Sequence, residues 1–237
     1  MQVAIIAKNS ASSMTFLSLS MYVVLYLFIA ENSTVHAQEK LKLKRTLIVD
    51  LNYSTSDVFD HDESVLYISF HQCSNDFSSR FPNATQTFVG CGNDRGYTVD
   101  IPWTGIGHDD DDYLLAFSKI VLPIAYEFNP EIVLLTCGLG NNELSPYGLS
   151  RVLHLLGSLA SGKVVTILSS GSQLGNVSMY AESILATMVC NAVIEAPMIA
   201  LKEKTFNEET LSTIQSIINV QAEYWKCLKA FAVVAND

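Results

Sequence analysis

Charge is scarce in this sequence. Only 16% of the 237 residues are Asp, Glu, Lys or Arg, and the basic ones are scarcer, 14 against 24 acidic, for a formal net charge of −10. A surface that binds nucleic acid is normally basic, so direct binding of DNA or RNA is not expected. Paired cysteines are missing as well. Cys73, Cys91, Cys137, Cys190 and Cys227 are odd in number and form no Cys-x-x-Cys, which argues against a disulfide framework and against a cysteine zinc site. Histidine is sparse: His36, His61, His71, His108 and His154 include no pair at i, i+4, so no His-Glu-x-x-His metal helix exists. Repeats and low-complexity linkers are absent too. What is abundant is apolar surface, at 49% of residues, enough for a sizeable core in one α/β domain with or without a targeting segment.

Met14–Ala30 carries no charge over seventeen residues, the lower limit for spanning a bilayer. Lys8 precedes it, and Val35-His36-Ala37 follows with the small-residue spacing of a signal-peptidase site. The expectation is a targeting segment over 1–37, either signal peptide or membrane anchor, with membrane contact through Met14–Ala30; the alternative is a buried core helix. Triplets of the Asn-x-Ser/Thr type begin at Asn32, Asn52, Asn83 and Asn176 and matter only in the secretory pathway.

Beyond Arg45, short apolar runs alternate with longer amphipathic ones. Thr46–Asp50, Val65–Phe70, Tyr97–Ile101, Ile132–Thr136 and Lys163–Leu168 are continuous and rich in β-branched residues. Such runs indicate strands covered on both faces, hence a parallel sheet. Helices are expected over Tyr113–Phe128, from Ser145-Pro146 to Ala160 with Gly162 after it, over Val177–Val193, and over Asn207–Ala232. Lys202–Glu209 is polar and reads as an exposed connection. The acidic run Asp109–Asp112 lacks the spacing of a calcium loop and reads as a solvated helix start favoured by the helix dipole. Cys137 reads as a buried small thiol, since no histidine is placed beside it. Gly138-Leu-Gly140 lacks the third glycine of a dinucleotide site.

Several stretches in one order carry a family likeness. They are Leu43-Lys-Arg-Thr-Leu-Ile-Val-Asp50, Ser64-Val-Leu-Tyr-Ile-Ser-Phe-His71, Gly96-Tyr-Thr-Val-Asp-Ile-Pro-Trp-Thr-Gly105, Asp112-Tyr-Leu-Leu-Ala-Phe117, Val121–Val133 and Leu156–Val165, followed by a tail, Glu223-Tyr-Trp-Lys-Cys-Leu228, similar to that of class II members. Over about residues 36 to 230 the chain resembles the histone deacetylase family. The resemblance implies an α/β three-layer sandwich with a mostly parallel sheet, arginase/deacetylase-like, incomplete at its N-terminal half, with 38–237 as a partial deacetylase domain. It also implies zinc-assisted amide hydrolysis, in which two aspartates and a histidine hold the metal, a histidine pair moves protons, and a tyrosine or histidine faces the oxyanion.

Set against that pattern, this chain departs at each position that does chemistry. After Asp50 the family reads Trp-Asp-Val-His-His-Gly-Asn-Gly; here Leu51-Asn-Tyr-Ser-Thr-Ser-Asp57 is shorter by four residues, placing Asn52 at the first aspartate and Ser54 at the histidine. Thr136-Cys-Gly-Leu-Gly140 puts Gly140 at the second aspartate, and Leu168-Ser-Ser-Gly-Ser172 puts Ser172 at the tyrosine. The expectation is a chain with no catalytic residues, no bound zinc and no other cofactor. Its expected role is protein binding or regulation, of the kind the family exercises in chromatin repressor assemblies, with a protein partner or a second copy. A deacetylase using unrecognised residues and a truncated gene product without function are the competing readings. The family implies nucleus and cytoplasm, the N-terminus membrane or secretory pathway.

Overall fold

The computed structural model describes residues 5–6, 32–51, 62–73, 85–90, 95–104, 107–138, 144–169, 177–190, 192–193, 206 and 208–233. Among the described residues six strands form one sheet: β1 (Ile5–Ile6), β2 (Thr46–Asp50), β3 (Val65–Cys73), β4 (Thr98–Thr104), β5 (Ile132–Gly138) and β6 (Val164–Ser169), in the order β1-β6-β5-β2-β3-β4. Every pairing is parallel, as continuous apolar strands require. The five strands expected from the sequence are all present. β3, β4 and β5 run two or three residues further than their apolar runs, because Gln72, Trp103 and Cys137 remain in register with neighbouring strands.

The described helices are α1 (32–39), α2 (Asp110–Ala116), α3 (Leu122–Phe128), α4 (Pro146–Leu156), α5 (Val177–Cys190) and α6 (Glu208–Gln221). One face of the sheet carries the main core. There Leu47, Val49, Leu66, Ile68, Phe70, Val99, Ile101, Val133 and Leu135 meet Phe117, Ile120, Leu149, Val152, Ile184, Ile214 and Ile217 from the helices. The opposite face holds a smaller cluster in which Ala37 of α1 packs with Ile48, Val65, Tyr67, Ile132 and Leu134.

The helix joining β4 to β5 begins at Asp110, earlier than its apolar periodicity suggests. Asp109 is the N-cap: its carboxylate accepts from the N–H of Asp111 and Asp112, and the Asp112 carboxylate accepts from the N–H of Asp109, a capping box. The acidic run is therefore not simply solvated. Asp112 is buried, and the carboxylate of Asp110 accepts from the N–H and hydroxyl of Ser145 at 2.7 and 2.5 Å, tying α2 to the start of α4. Between α2 and α3 the helix widens into a π segment, Phe117–Val121. Pro123 lies just beyond; it has no N–H, and its ring crowds the carbonyl four residues back, so one wider turn relieves the clash.

Three helices stop short of their apolar patterns. α5 ends at Cys190 rather than Val193. α4 ends at Leu156, with Gly157 as C-cap, and the chain then makes a left-handed turn through Ala160, Ser161 and Gly162 at φ 51°, 54° and 75°. Two non-glycine residues there carry strain of roughly 1 kcal/mol or more each. Ser161→Gly is expected to stabilise the domain by about 0.5–1 kcal/mol after allowing for glycine's own backbone entropy. A urea titration with an unchanged m-value measures it; a lower midpoint would count against strain at this residue.

α6 ends at Gln221, and a turn replaces the helix expected to reach Ala232. Trp225 takes an extended backbone, φ −109° and ψ 119°, so that its indole N–H donates to Gly96 O at 2.9 Å and its ring meets Tyr97 edge-on at 5.5 Å. The Glu127 carboxylate accepts from the N–H of Lys226 and Cys227 at 3.2 and 2.8 Å. Burial pushes the Glu127 carboxyl upward, but the Cys227 N–H and thiol, the Lys226 N–H and the Lys226 ammonium outweigh it, and the net direction is downward. A carboxyl lowered by folding adds stability above its unfolded value, and that stability is lost as pH falls through the folded value. Glu127→Gln is accordingly expected to flatten the acid limb of a melting-temperature profile below about pH 4.5. A mutant curve parallel to that of the unsubstituted chain would show that the carboxylate does not hold this turn.

Candidate functional site

The C-terminal ends of β6, β5 and β2 lie side by side, and all four site positions inferred from the sequence follow them. Asn52 and Ser54 come after β2, Gly140 after β5 and Ser172 after β6. In parallel α/β sheets this edge is where ligands bind. The four residues themselves lie outside the described residues; the sheet brings together the strand ends that lead into them.

Just below that edge runs a buried polar row that sequence reading missed. Register aligns Thr136, Asp50, Ser69 and Asp100 on four adjacent strands, β5-β2-β3-β4. Asp50 and Asp100 are 8% and 2% exposed. Asp50 accepts from Tyr67 Oη and Thr136 Oγ1, each at 2.8 Å. Ser69 Oγ donates to Asp100 Oδ1 at 2.6 Å and lies 3.2 Å from His71 Nδ1. Buried carboxylates are tolerated because hydroxyls replace the water they lose. The signal was present in the sequence: one hydroxyl or carboxylate interrupts each apolar strand at the same level.

Cys137 is fully buried in the main core, as expected for a small thiol. Beyond it, Tyr180 Oη donates to Leu144 O at 2.8 Å. Burial, aided by the nearby Cys137 and Asp110, pushes the Tyr180 phenol up to about 12, so at neutral pH it remains a donor. Ser145 Oγ accepts from the N–H of Tyr147 and Gly148, both at 3.2 Å, and its hydroxyl donates a hydrogen bond to Asp110. These bonds anchor the chain where it re-enters α4 after the β5 loop.

His108 is buried, stacked on Trp103 with centroids 4.6 Å apart, and its Nδ1 is 4.0 Å from Asp112 Oδ2. Among the described residues no three His, Cys, Asp or Glu side chains form a group that could hold a metal ion. A cleft of about 510 Å³, lined in part by Arg45, Tyr126, Glu131, Ser158 and Lys163, opens at the opposite, N-terminal end of the strands.

Known proteins supply the next observation. Residues 29–188 match the family described as "Histone deacetylase domain", which is well over half of the chain. The chain belongs to the histone deacetylase family. It is 34% identical to histone deacetylase clr3 of Schizosaccharomyces pombe over 213 residues, covering 82% of this chain and 30% of that protein. It is 29% identical to histone deacetylase 6 of Caenorhabditis elegans, with 85% and 23% covered. Against the polyamine deacetylase HDAC10 of Danio rerio the identity is 31%, with 84% and 31% covered. The solved structure of Clr3 superposes with a TM-score of 0.72 at 30% identity, over 85% of this chain and 35% of that one. The HD domain of HDA15 gives 0.70 at 30%, over 84% and 57%. The expected deacetylase-type α/β fold is thus the observed one, and the chain spans about a quarter to a third of the length of the curated relatives it matches.

Proposed function

We propose that this deacetylase-family domain does not hydrolyse amides and acts instead as a protein-binding member of the family. One observation carries the reading: the residue types at the metal and oxyanion positions. Zinc sites are built from imidazole, thiolate and carboxylate. Asn52, Ser54 and Gly140 offer an amide, a hydroxyl and no side chain. That donor set does not fit zinc, because affinity depends on deprotonated ligands. Without the ion no group lowers the pKa of an attacking water. Ser172 replaces the oxyanion-facing ring, and no two of the five histidines are adjacent to serve as a proton-transfer pair. Asp50 accepts from Tyr67 and Thr136 within the sheet, and among the described residues no group of three His, Cys, Asp or Glu could hold a metal ion.

The relatives named above are deacetylases, so the competing reading is an active zinc enzyme. Elemental analysis of the untagged full chain, run beside an acetyl-lysine peptide assay, separates the two. The expected result is well under one zinc per chain and no turnover. One tightly held zinc per chain, with turnover lost on chelation, would sink the proposal. Elution as a dimer, or with a defined protein in a metal-free state, is the outcome a binding role requires.

A further inference from the structure

The uncharged run Met14–Ala30 lies outside the described residues, among which no helix is long and apolar enough to cross a membrane. The cleft at the N-terminal ends of the strands is lined by described residues. β6, β5 and β2 lie side by side there. Lys163, Glu131 and Arg45 are the residues immediately before them. All three line the cleft of about 510 Å³, together with Asn129 and the turn that carries Ser158, Ala160 and Ser161. Small-molecule sites span roughly 300–1,000 Å³, so the space admits more than a bare ion.

Acceptors around this cleft are engaged. Asn129 O takes the Arg45 Nε–H at 2.7 Å. The Ser158 hydroxyl donates to Leu155 O at 2.6 Å, so in its 2.8 Å contact with Tyr126 Oη the phenol is the donor. The carbonyls of Leu159 and Ala160 take the N–H of Gly162 and Lys163 at 2.8 and 3.2 Å. The Glu131 carboxylate accepts from the Lys44 N–H, the largest cause holding its carboxyl below the usual range. Donors are left over. The Lys163 ammonium is exposed and has no ion-pair or hydrogen-bond partner in the chain. Arg45 Nη2 stands 3.7 Å from Glu131 Oε1, too far for a hydrogen bond. Ala160 and Ser161 are left-handed, at φ 51° and 54°, and their N–H groups meet no acceptor in the chain.

We propose that this cleft binds a phosphate monoester group, held by Lys163, Arg45 and the N–H groups of the turn at Ala160 and Ser161. Two cations against one engaged carboxylate, with spare N–H donors, call for an anion rich in acceptors. A phosphate monoester brings three strong acceptor oxygens and up to two charges. A guanidinium fork, an ammonium and successive N–H groups of a tight turn are the donors that suit it. The chain's net charge of −10 opposes any anion from a distance. At physiological salt that field is screened beyond about 8 Å, whereas groups in contact are screened much less. The site lies at the far end of the strands from the family's site positions, so it holds whether or not the domain hydrolyses amides.

Titration of the isotope-labelled full chain with sodium phosphate, against sodium chloride at equal ionic strength, tests it. The amide resonances of Ala160 and Ser161 should shift and saturate together in phosphate alone, with a dissociation constant on the order of millimolar. Lys163→Gln should weaken binding about tenfold while leaving the melting temperature within about 1 °C, since the side chain is exposed. Lys119→Gln, an exposed lysine on the π segment, should leave binding within about twofold. A phosphoserine pentapeptide binding more tightly than glycerol phosphate would assign the group to a phosphorylated protein, and the reverse order to a small molecule. Shifts that do not saturate, equal shifts in chloride, or a Lys163→Gln variant that binds as tightly as the parent would each overturn the proposal.

Discussion

Gly96→Ala is expected to cost about 3 kcal/mol or more, lowering the melting temperature by roughly 6–12 °C. Two separate terms add. Gly96 has φ +97°, a conformation that any other residue adopts only with strain of about 1–3 kcal/mol. A Cβ there would also sit 2.5 Å from Tyr224 Cβ and 2.6 Å from its Cγ. The Tyr224 Cβ is fixed to the backbone and no side-chain rotation moves it aside, so the turn after α6 would have to move. That turn is held from several sides, by the Trp225 indole on Gly96 O, by Glu127 on two N–H groups and by Gln221 on Thr98 O. Gly107→Ala supplies the control. Its φ is +92° and nothing lies within 4 Å of its added Cβ, so backbone strain alone remains, about 1–2 kcal/mol. Equal losses from the two variants, in matched urea titrations, would show that the Tyr224 contact adds nothing.

The same turn shows where sequence reading reaches its limit. Strands β2 to β6 could be read directly, because β-branched runs buried on both faces leave no other economical arrangement. The helix through Trp225 could not be stopped from pattern alone. Leu211, Ile214, Ile217, Ile218 and Trp225 continue the apolar stripe. What ends the helix is a tertiary demand, the place of one indole against Gly96 and Tyr97. β1 went unread for a different reason. Two residues carry no periodicity, and only their pairing with β6 reveals them. The acidic run before Tyr113 was understood as a helix start but not as a tie between helices, since Ser145 is 35 residues from Asp110. The candidate site was accessible through family likeness alone. Asn52, Ser54, Gly140 and Ser172 have no periodicity or spacing of their own, and only the resemblance to the family's motifs proposes them as site positions.

On the reading proposed above, rebuilding the ligand types is expected to give no deacetylase activity. Asn52→Asp, Ser54→His and Gly140→Asp together would return two carboxylates and an imidazole, and Ser172→Tyr would add an oxyanion donor, typically worth about 3 kcal/mol. Three deficits would persist. By the resemblance, the loop after Leu51 counts as four residues shorter than the family's, and a misplacement near 1 Å can cost about a hundredfold in rate. No adjacent histidine pair exists anywhere in the sequence, which removes proton transfer worth roughly 10²–10⁴-fold. The donors set by the sheet are already engaged, with Asp50 between Tyr67 and Thr136 and Ser69 on Asp100. Catalytic groups that act as a unit are not recovered one at a time, so the losses compound. Against an active family domain the deficit should exceed about 10⁴-fold, even with added zinc. Zinc titration followed by the peptide assay on the quadruple variant gives the answer. Metal uptake without turnover would place the deficit in geometry and proton transfer. Turnover that a chelator abolishes would mean that four side chains were all the domain lacked, and that neither the short loop nor the missing histidine pair matters.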